Sequence, residues 1–253
     1  MKKLFAMLLL IPVLAAGQEM QEYPLFTNIM LTPNPAHISQ LEAGLKEHNE
    51  KFHKDGPTGA RVYWIMNGVN SGKYVWTMGP HFWSTMDEMD MGPEHMNHWN
   101  SAVIAHTEGT AVTHSWRYNP QWSNFSRDFN VKYLNVFIID MKRFENELFM
   151  SVLERVRKVY AEKYPDQIYG MYFNVMPGDD GMDFAWIDFI DSMKMMNQGD
   201  EFPGYFEEVH GEGTFPAFLE DVAKSTVKDH GEIWMYMEGI SGLGAEVLAQ
   251  DRQ

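Results

Sequence analysis

The chain has 253 residues, of which 45% are hydrophobic and 14% aromatic, a formal net charge of −15 and no cysteine. This composition is typical of a globular protein, and the lack of cysteine excludes disulfide bonds, so burial of a core must supply the stability. The negative charge argues against nucleic acid and anionic membranes as partners, because both attract basic proteins.

The first 17 residues have the pattern of a secretory signal peptide. Lys2 and Lys3 precede an apolar run, Leu4–Leu14, and Ala15-Ala16-Gly17 provides the small residues of a cleavage site. The run is shorter than the ~20 residues that a membrane span needs, and no later segment is apolar enough to be one. We therefore expect a periplasmic or secreted protein.

The next hundred residues predict a β-α-β-β-α-β unit. Short β-branched and aromatic runs indicate strands at 25–31, 60–67 and 73–78, and an apolar stripe at Ile38, Leu41, Leu45 and Phe52 indicates a helix between the first two. Residues 82–90 and 93–106 are expected to be helical, since Pro93 suits a first helical turn. Residues 110–118 are expected to be the fourth strand.

The second part of the chain repeats the order of elements. A strand at Tyr133–Ile139 places Leu134, Val136 and Ile138 on one face, and a helix follows from Phe144 until Pro165. A hairpin comes next, then a loop rich in glycine and acidic residues at 192–213. A helix at 215–228 and a strand at 232–238 complete the unit.

Matched residues indicate that the two units arose by duplication. Asn28 and Asn135, and Asn67 and Asn174, are related by the same offset of 107 residues. The predicted fold class is α+β, with two tandem ferredoxin-like halves packed sheet to sheet as a single-chain α+β barrel. The predicted boundaries are a signal peptide at 1–17, halves at 18–119 and 132–240, a linker at 120–131 and a tail at 241–253.

This element order, over about residues 25–239, resembles the dimeric α+β barrel superfamily. That group includes cofactor-free antibiotic-biosynthesis monooxygenases, haem-degrading monooxygenases, NIPSNAP-type proteins and chlorite-dismutase-like haem proteins. The resemblance implies a ligand pocket between each sheet and its helices, with haem or no cofactor, and it makes Asn28 a candidate for the first-strand Asn of haem-degrading members. The second half offers only His210 and His230 as haem ligands, and neither lies in a matching motif.

A segment rich in histidine and methionine, residues 78–99, is a candidate metal site. His95 and His98 share a helix face, and His81 lies nearby in sequence, so we expect these three to be the metal ligands. The neighbouring thioethers would suit copper. The alternative is that the methionines fill the core and the histidines lie on a wet face.

Aromatic and amide side chains on the strands are candidate ligand-binding residues, because they could stack on and orient a flat aromatic molecule. They are Asn28, Tyr63, Asn67, Trp76, Trp83 and Trp116. The candidate catalytic residues are Asn28, His98 and His114. The alternative is that the aromatic residues only fill the core.

The distribution of histidine favours a site in the first half, which holds eight of the ten. His37, His48 and His53 carry little weight, because we expect them on one exposed helix. We thus expect an exported small-molecule-binding protein, with monooxygenase-like oxidation of a hydrophobic aromatic ligand or haem as its candidate activity. The alternative is a module without enzymatic activity that binds a ligand or a metal or has a structural role. The sequence is also compatible with a homo-oligomer.

Overall fold

The computed structural model describes residues 22–197 and 199–249, so the predicted signal peptide lies outside the described residues. The first half contains the elements β1 (Leu25–Leu31), α1 (Ile38–Phe52), β2 (Ala60–Asn67), β3 (Tyr74–His81), α2 (Trp83–Glu88), α3 (Pro93–His98) and β4 (Val112–Tyr118). After α3 the chain continues helically through a π-helical turn, Trp99–Val103, and a 3-10 turn, Ile104–His106.

The second half repeats this order of strands and helices. Its elements, with the short strands before and after it, are β5 (Phe129–Asn130), β6 (Tyr133–Met141), α4 (Asn146–Lys163), β7 (Tyr169–Asn174), β8 (Phe184–Ile190), α5 (Phe202–His210), α6 (Phe215–Ser225), β9 (Thr226–Tyr236) and β10 (Glu246–Val247). No helix within residues 22–197 and 199–249 is both long and apolar enough to cross a bilayer.

Eight strands form a closed barrel in which every pairing is antiparallel, in the order β1-β3-β2-β9-β6-β8-β7-β4. The two four-stranded sheets join at both edges, where Tyr63 pairs with Tyr236 and Trp116 pairs with Asn174. The predicted α+β barrel is confirmed. Because the sheets are hydrogen-bonded to each other as well as stacked, the barrel has no open sheet edge.

Strand alternation separates an inner from an outer barrel surface. Leu134, Val136 and Ile138 face the interior, as their predicted common face requires. Asn28 also lines the interior, whereas Asn135 lies opposite Asp188 and bonds to it on the outer surface. The alignment of Asn28 with Asn135 is therefore wrong by one residue of register, because a shift of one turns a strand's side chains to the opposite face.

The outer surface of each sheet is covered by that half's helices. In the first half, Leu41 and Leu45 of α1 pack with Trp76 and Met78 of β3 in one buried cluster. This cluster fills the space where the family resemblance placed a ligand pocket. Such close-packed apolar side chains leave no room for a large ligand there.

Three details differ from the sequence-based expectations. The acidic loop contains helix α5, whose Phe206 is buried against α4 and α6. The following helix ends at Ser225 and not at 228, because the chain from Thr226 already pairs with β6. The predicted tail and the predicted linker each contain a short strand, β10 and β5, and these two strands pair.

Candidate functional site

A cavity of about 1200 Å³ occupies the barrel interior and opens toward one end of the barrel. Strands from both halves form its wall. Its apolar part includes Met30, Val75, Leu134, Val136, Ile138 and Ile187. A predominantly apolar cavity of this size can enclose a small organic molecule.

The polar part of the wall comes from three neighbouring strands of the first half. Asn28 on β1 pairs with Thr77 on β3 and with His114 on β4, and Trp116 is two residues further along β4. The buried Asn28 Oδ1, Thr77 Oγ1 and Trp116 Nε1 atoms have no hydrogen-bond partner within the described part of the chain. Since buried polar atoms are normally paired, this group offers one acceptor, one hydroxyl and one N–H donor to a ligand.

His114 is held by a carboxylate at the edge of this polar wall. Its Nε2 lies 2.7 Å from Asp180 Oδ2. Partial burial would raise the pKa of Asp180, but hydrogen bonds from His114 and from the Met182 amide outweigh it and lower the pKa. The carboxylate is therefore ionised at neutral pH and fixes the orientation of the imidazole.

Four further residues were predicted to bind the ligand from the strands. Tyr63 and Trp116 do line the cavity, whereas Trp76 and Asn67 face away from it. Tyr63 and Trp116 line the interior, and burial raises the pKa of Tyr63 to about 12, so its hydroxyl is neutral. Trp76 points outward and donates its indole N–H to Asn49. Asn67 is exposed at the end of β2, where its side chain accepts a hydrogen bond from the Gly68 amide.

The remaining predicted ligand residue, Trp83, lies on α2. It is 37% exposed, and its indole nitrogen contacts the Tyr23 hydroxyl at 3.2 Å. It does not line the cavity wall.

A second group of functional side chains lies outside the barrel, between α1, α3 and the outer surface of β3. His48, His53 and His95 are 1%, 2% and 7% exposed, and one nitrogen from each ring lies within 4.8 Å of the other two. Nε2 of His95 lies 3.1 Å from Nε2 of His53 and 3.2 Å from Nε2 of His48. We call these three residues the histidine cluster.

His48 and His53 are buried, which corrects the expectation that they lie on an exposed helix. His48 follows Leu41 and Leu45 at the helical spacing of the apolar stripe, so it faces the core with them. That spacing was the sequence signal that could have identified it. His53, directly after the helix, carried no comparable signal and enters the cluster because the chain turns back toward β2.

The predicted metal ligands are only partly brought together. His95 belongs to the histidine cluster, and His98 contacts it through Nδ1, 3.2 Å from Nδ1 of His48. His81 lies elsewhere, buried at the end of β3 with its Nε2 2.9 Å from Thr27 Oγ1. The methionines Met86 and Met89 pack against the hydrophobic cluster around Trp76, as core residues.

Burial disfavours protonation of two rings of the histidine cluster, His48 and His53. Burial and the neighbouring imidazoles lower the pKa of His48 to about 3. Burial also lowers the pKa of His53 to about 4, although its bond to the Thr58 carbonyl acts in the opposite direction. Both rings are therefore neutral near pH 7, the form that binds metal ions.

Haem does not fit the barrel cavity well. His114 is the imidazole in the cavity wall, and its Nε2 is bonded to Asp180. In the second half, Nε2 of His210 lies 3.0 Å from the Arg155 carbonyl oxygen, and neither His210 nor His230 lines the cavity. Among the residues that the structure describes, the cavity thus offers no unengaged imidazole Nε2 to a haem iron.

Comparison with known proteins identifies the fold. No family model matches the chain, and no curated protein matches it in sequence. Its structure is similar to a proposed monooxygenase from Fusobacterium nucleatum (TM-score 0.54, 7% identity, covering 90% of this chain and 99% of that chain). It is also similar to an anthrone oxidase-like protein (TM-score 0.54, 11% identity, covering 90% of this chain and 98% of that chain). A third similar structure is a mutant chlorite dismutase from Candidatus Nitrospira defluvii (TM-score 0.52, 9% identity, covering 92% of this chain and 98% of that chain). The protein therefore has the fold of the dimeric α+β barrel superfamily, with both ferredoxin-like halves on one chain.

Proposed function

We propose that the protein binds a hydrophobic aromatic small molecule inside the barrel and oxidises it in a monooxygenase-like reaction. The observation that carries this proposal is the combination of a large apolar cavity with the unpaired Asn28 Oδ1 and Trp116 Nε1 in one wall. A planar ligand with a hydroxyl or carbonyl group would pair with these atoms and bury its rings against the apolar side.

The candidate chemistry begins with proton transfer to His114. If Nε2–H donates to Asp180, then Nδ1 is the basic nitrogen, and the ionised carboxylate stabilises the imidazolium that forms. An enolisable aromatic ligand deprotonated in this way can react with dioxygen, the oxidant, without a cofactor. At a reacting CH₂ group, two C–H bonds are replaced by a C=O bond, and water is the second product.

Anthrone is a suitable probe, since one protein of this fold is described as anthrone oxidase-like. Binding would be measured by calorimetry without oxygen, and turnover by oxygen consumption and anthraquinone absorbance. We expect His114→Gln to keep binding and to lose about 10²-fold or more in turnover. Trp116→Phe and Asn28→Ala should weaken binding, whereas the matched controls Trp83→Phe and Asn67→Ala should not.

The alternative function is ligand binding without turnover. Saturable anthrone binding that depends on Asn28 and Trp116, with no oxygen consumption above the uncatalysed rate, would favour it. Failure of anthrone and of two- and three-ring phenols to bind would contradict both functions of the cavity. An exported location after cleavage of residues 1–17 remains part of the proposal, and N-terminal sequencing of protein from the producing cells tests it.

A further inference from the structure

We infer that His48, His53 and His95 bind one divalent transition-metal ion, Zn²⁺ or Cu²⁺, in a buried site on the outside of the barrel. This site is separate from the barrel cavity and does not depend on the function proposed for it. Strand β3 divides the two, because Trp76 faces the histidine cluster while Val75 and Thr77 face the cavity.

The hydrogen bonds of the cluster direct three ring nitrogens toward one point. Nδ1 of His53 lies 2.7 Å from the Thr58 carbonyl oxygen, and Nδ1 of His95 lies 2.6 Å from the Asp90 carbonyl oxygen. A carbonyl oxygen only accepts, so each Nδ1 carries the hydrogen. When the rings are neutral, both Nε2 atoms are therefore acceptors, and they lie 3.1 Å apart.

His48 completes the set through its contact with His98. Nε2 of His98 lies 3.3 Å from Glu47 Oε1, and the negative charge of this carboxylate favours the His98 tautomer that carries its hydrogen on Nε2. Nδ1 of His98 then accepts from Nδ1–H of His48. This leaves Nε2 of His48 as a third acceptor, directed at Nε2 of His95.

Three facing acceptors need a cation between them. Two neutral imidazoles at 3.1 Å cannot hydrogen-bond through two lone pairs, so either an additional proton or a metal ion must lie there. The spacing suits a metal, since two nitrogens bound at about 2.05 Å to one tetrahedral ion are about 3.3 Å apart. Ligating histidines commonly donate their other N–H to a carbonyl or carboxylate, as His53 and His95 do.

The surroundings hold the three rings in place before an ion binds. Phe52 stacks on His95 with ring centres 4.5 Å apart, and Trp76 and Trp99 lie 4.8 and 5.0 Å from His53 and His48. Imidazole nitrogens suit Zn²⁺ and Cu²⁺, whereas Ca²⁺ and Mg²⁺ prefer oxygen ligands. The chemistry of the donor set therefore selects the transition-metal class.

The test is metal titration of the untagged, chelator-treated chain with Zn²⁺ and, separately, Cu²⁺. We expect saturation at one ion per chain, quenching of tryptophan fluorescence by Cu²⁺, and a tetrahedral absorption spectrum with Co²⁺ as a probe. His53→Gln and His95→Gln should abolish saturable binding. His98→Gln, which keeps all three ligands, should weaken it by about 10–100-fold.

The controls separate this site from surface binding and from misfolding. His81→Gln removes a buried histidine of the same half, and His210→Gln removes a half-buried histidine of the other half. Both variants should keep the stoichiometry and the affinity of metal binding. No saturable binding by the parent chain, or binding unchanged by His53→Gln and His95→Gln, would overturn the inference. If those variants do not fold, the Cu²⁺ EPR spectrum of the parent chain decides, since coupling to fewer than three nitrogens would also overturn it.

Discussion

The Nε2 atoms of His53 and His95 lie 3.1 Å apart, although the Nδ1 atom of each ring is already hydrogen-bonded to a backbone carbonyl oxygen. The two residues come from the end of α1 and from α3, which are far apart in the sequence. A metal ion between them would join these two helices over β3.

Metal binding should stabilise the folded protein. An ion that binds only the folded chain adds about 2.7 kcal/mol to the free energy of unfolding at 100 times its dissociation constant. The midpoint temperature of thermal unfolding should therefore rise when Zn²⁺ is added and fall back to its original value when a chelator is added. The shift should vanish in His53→Gln and persist in His81→Gln; an equal shift in both variants would contradict the assignment.

Asp188 should destabilise the folded protein at neutral pH. Burial raises its pKa from an ordinary 3.8 to about 6, although bonds from Trp186 and Asn135 oppose this rise. The folded state therefore binds the proton more tightly, and its stability falls as pH rises from about 4 to 6. Above pH 6 the cost is about 3 kcal/mol, since one pKa unit corresponds to about 1.4 kcal/mol.

The variant Asp188→Asn isolates this effect, because a neutral amide can keep both hydrogen bonds. We expect the free energy of unfolding of this variant, measured with denaturant, to be nearly equal to that of the parent at pH 4. At pH 7.5 it should exceed the parent's by up to about 3 kcal/mol. The nearby Tyr160 and Tyr169 do not interfere, since burial raises the pKa of both hydroxyls. A difference that does not change between pH 4 and 7.5 would contradict the prediction.

Gly44 should be required for the close approach of α1 to the π-helical turn. A Cβ atom at this position would lie 1.7 Å from the Ala102 carbonyl oxygen. Gly44→Ala should therefore destabilise the protein by about 1–3 kcal/mol. The control is Gly204→Ala in α5, where a Cβ atom meets nothing within 4 Å and alanine should stabilise the helix by up to about 1 kcal/mol. Two variants of equal stability would be inconsistent with this packing.

Two threonines on neighbouring strands should respond oppositely to substitution by valine. Thr77 Oγ1 is buried at the cavity without a partner among the described residues, whereas Thr27 Oγ1 bonds to the buried His81 at 2.9 Å. Thr77→Val should leave the ligand-free protein as stable or about 1 kcal/mol more stable and weaken anthrone binding. Thr27→Val should lower stability by about 1–3 kcal/mol and leave binding unchanged. A loss of stability in both would contradict the unpaired state of Thr77.

Much of the fold followed from local patterns in the sequence. The alternation in β6 placed Leu134, Val136 and Ile138 on one face because strand geometry alone fixes it. The apolar stripe of α1 located the helix and also contains His48. Histidine is intermediate between the buried and the exposed residue types, so its identity alone does not indicate burial. The order of elements was enough to predict the barrel.

The sites depended on tertiary structure and could not be derived in the same way. Asn28 and Asn135 match in sequence but face opposite sides of the barrel, since one residue of register decides the face. His53 and His95 meet only because α3 packs beside the end of α1. The resemblance placed the ligand pocket beneath the helices, whereas the packing of Trp76 and its neighbours leaves the large cavity inside the barrel.

The most direct test of the account is a crystal structure of the protein with anthrone bound under anaerobic conditions. We expect density for the three rings inside the barrel, with the ligand oxygen within hydrogen-bond distance of Trp116 Nε1 or Asn28. Anthrone bound between α1 and the outer surface of β3, or an empty barrel in crystals at saturating anthrone, would contradict it.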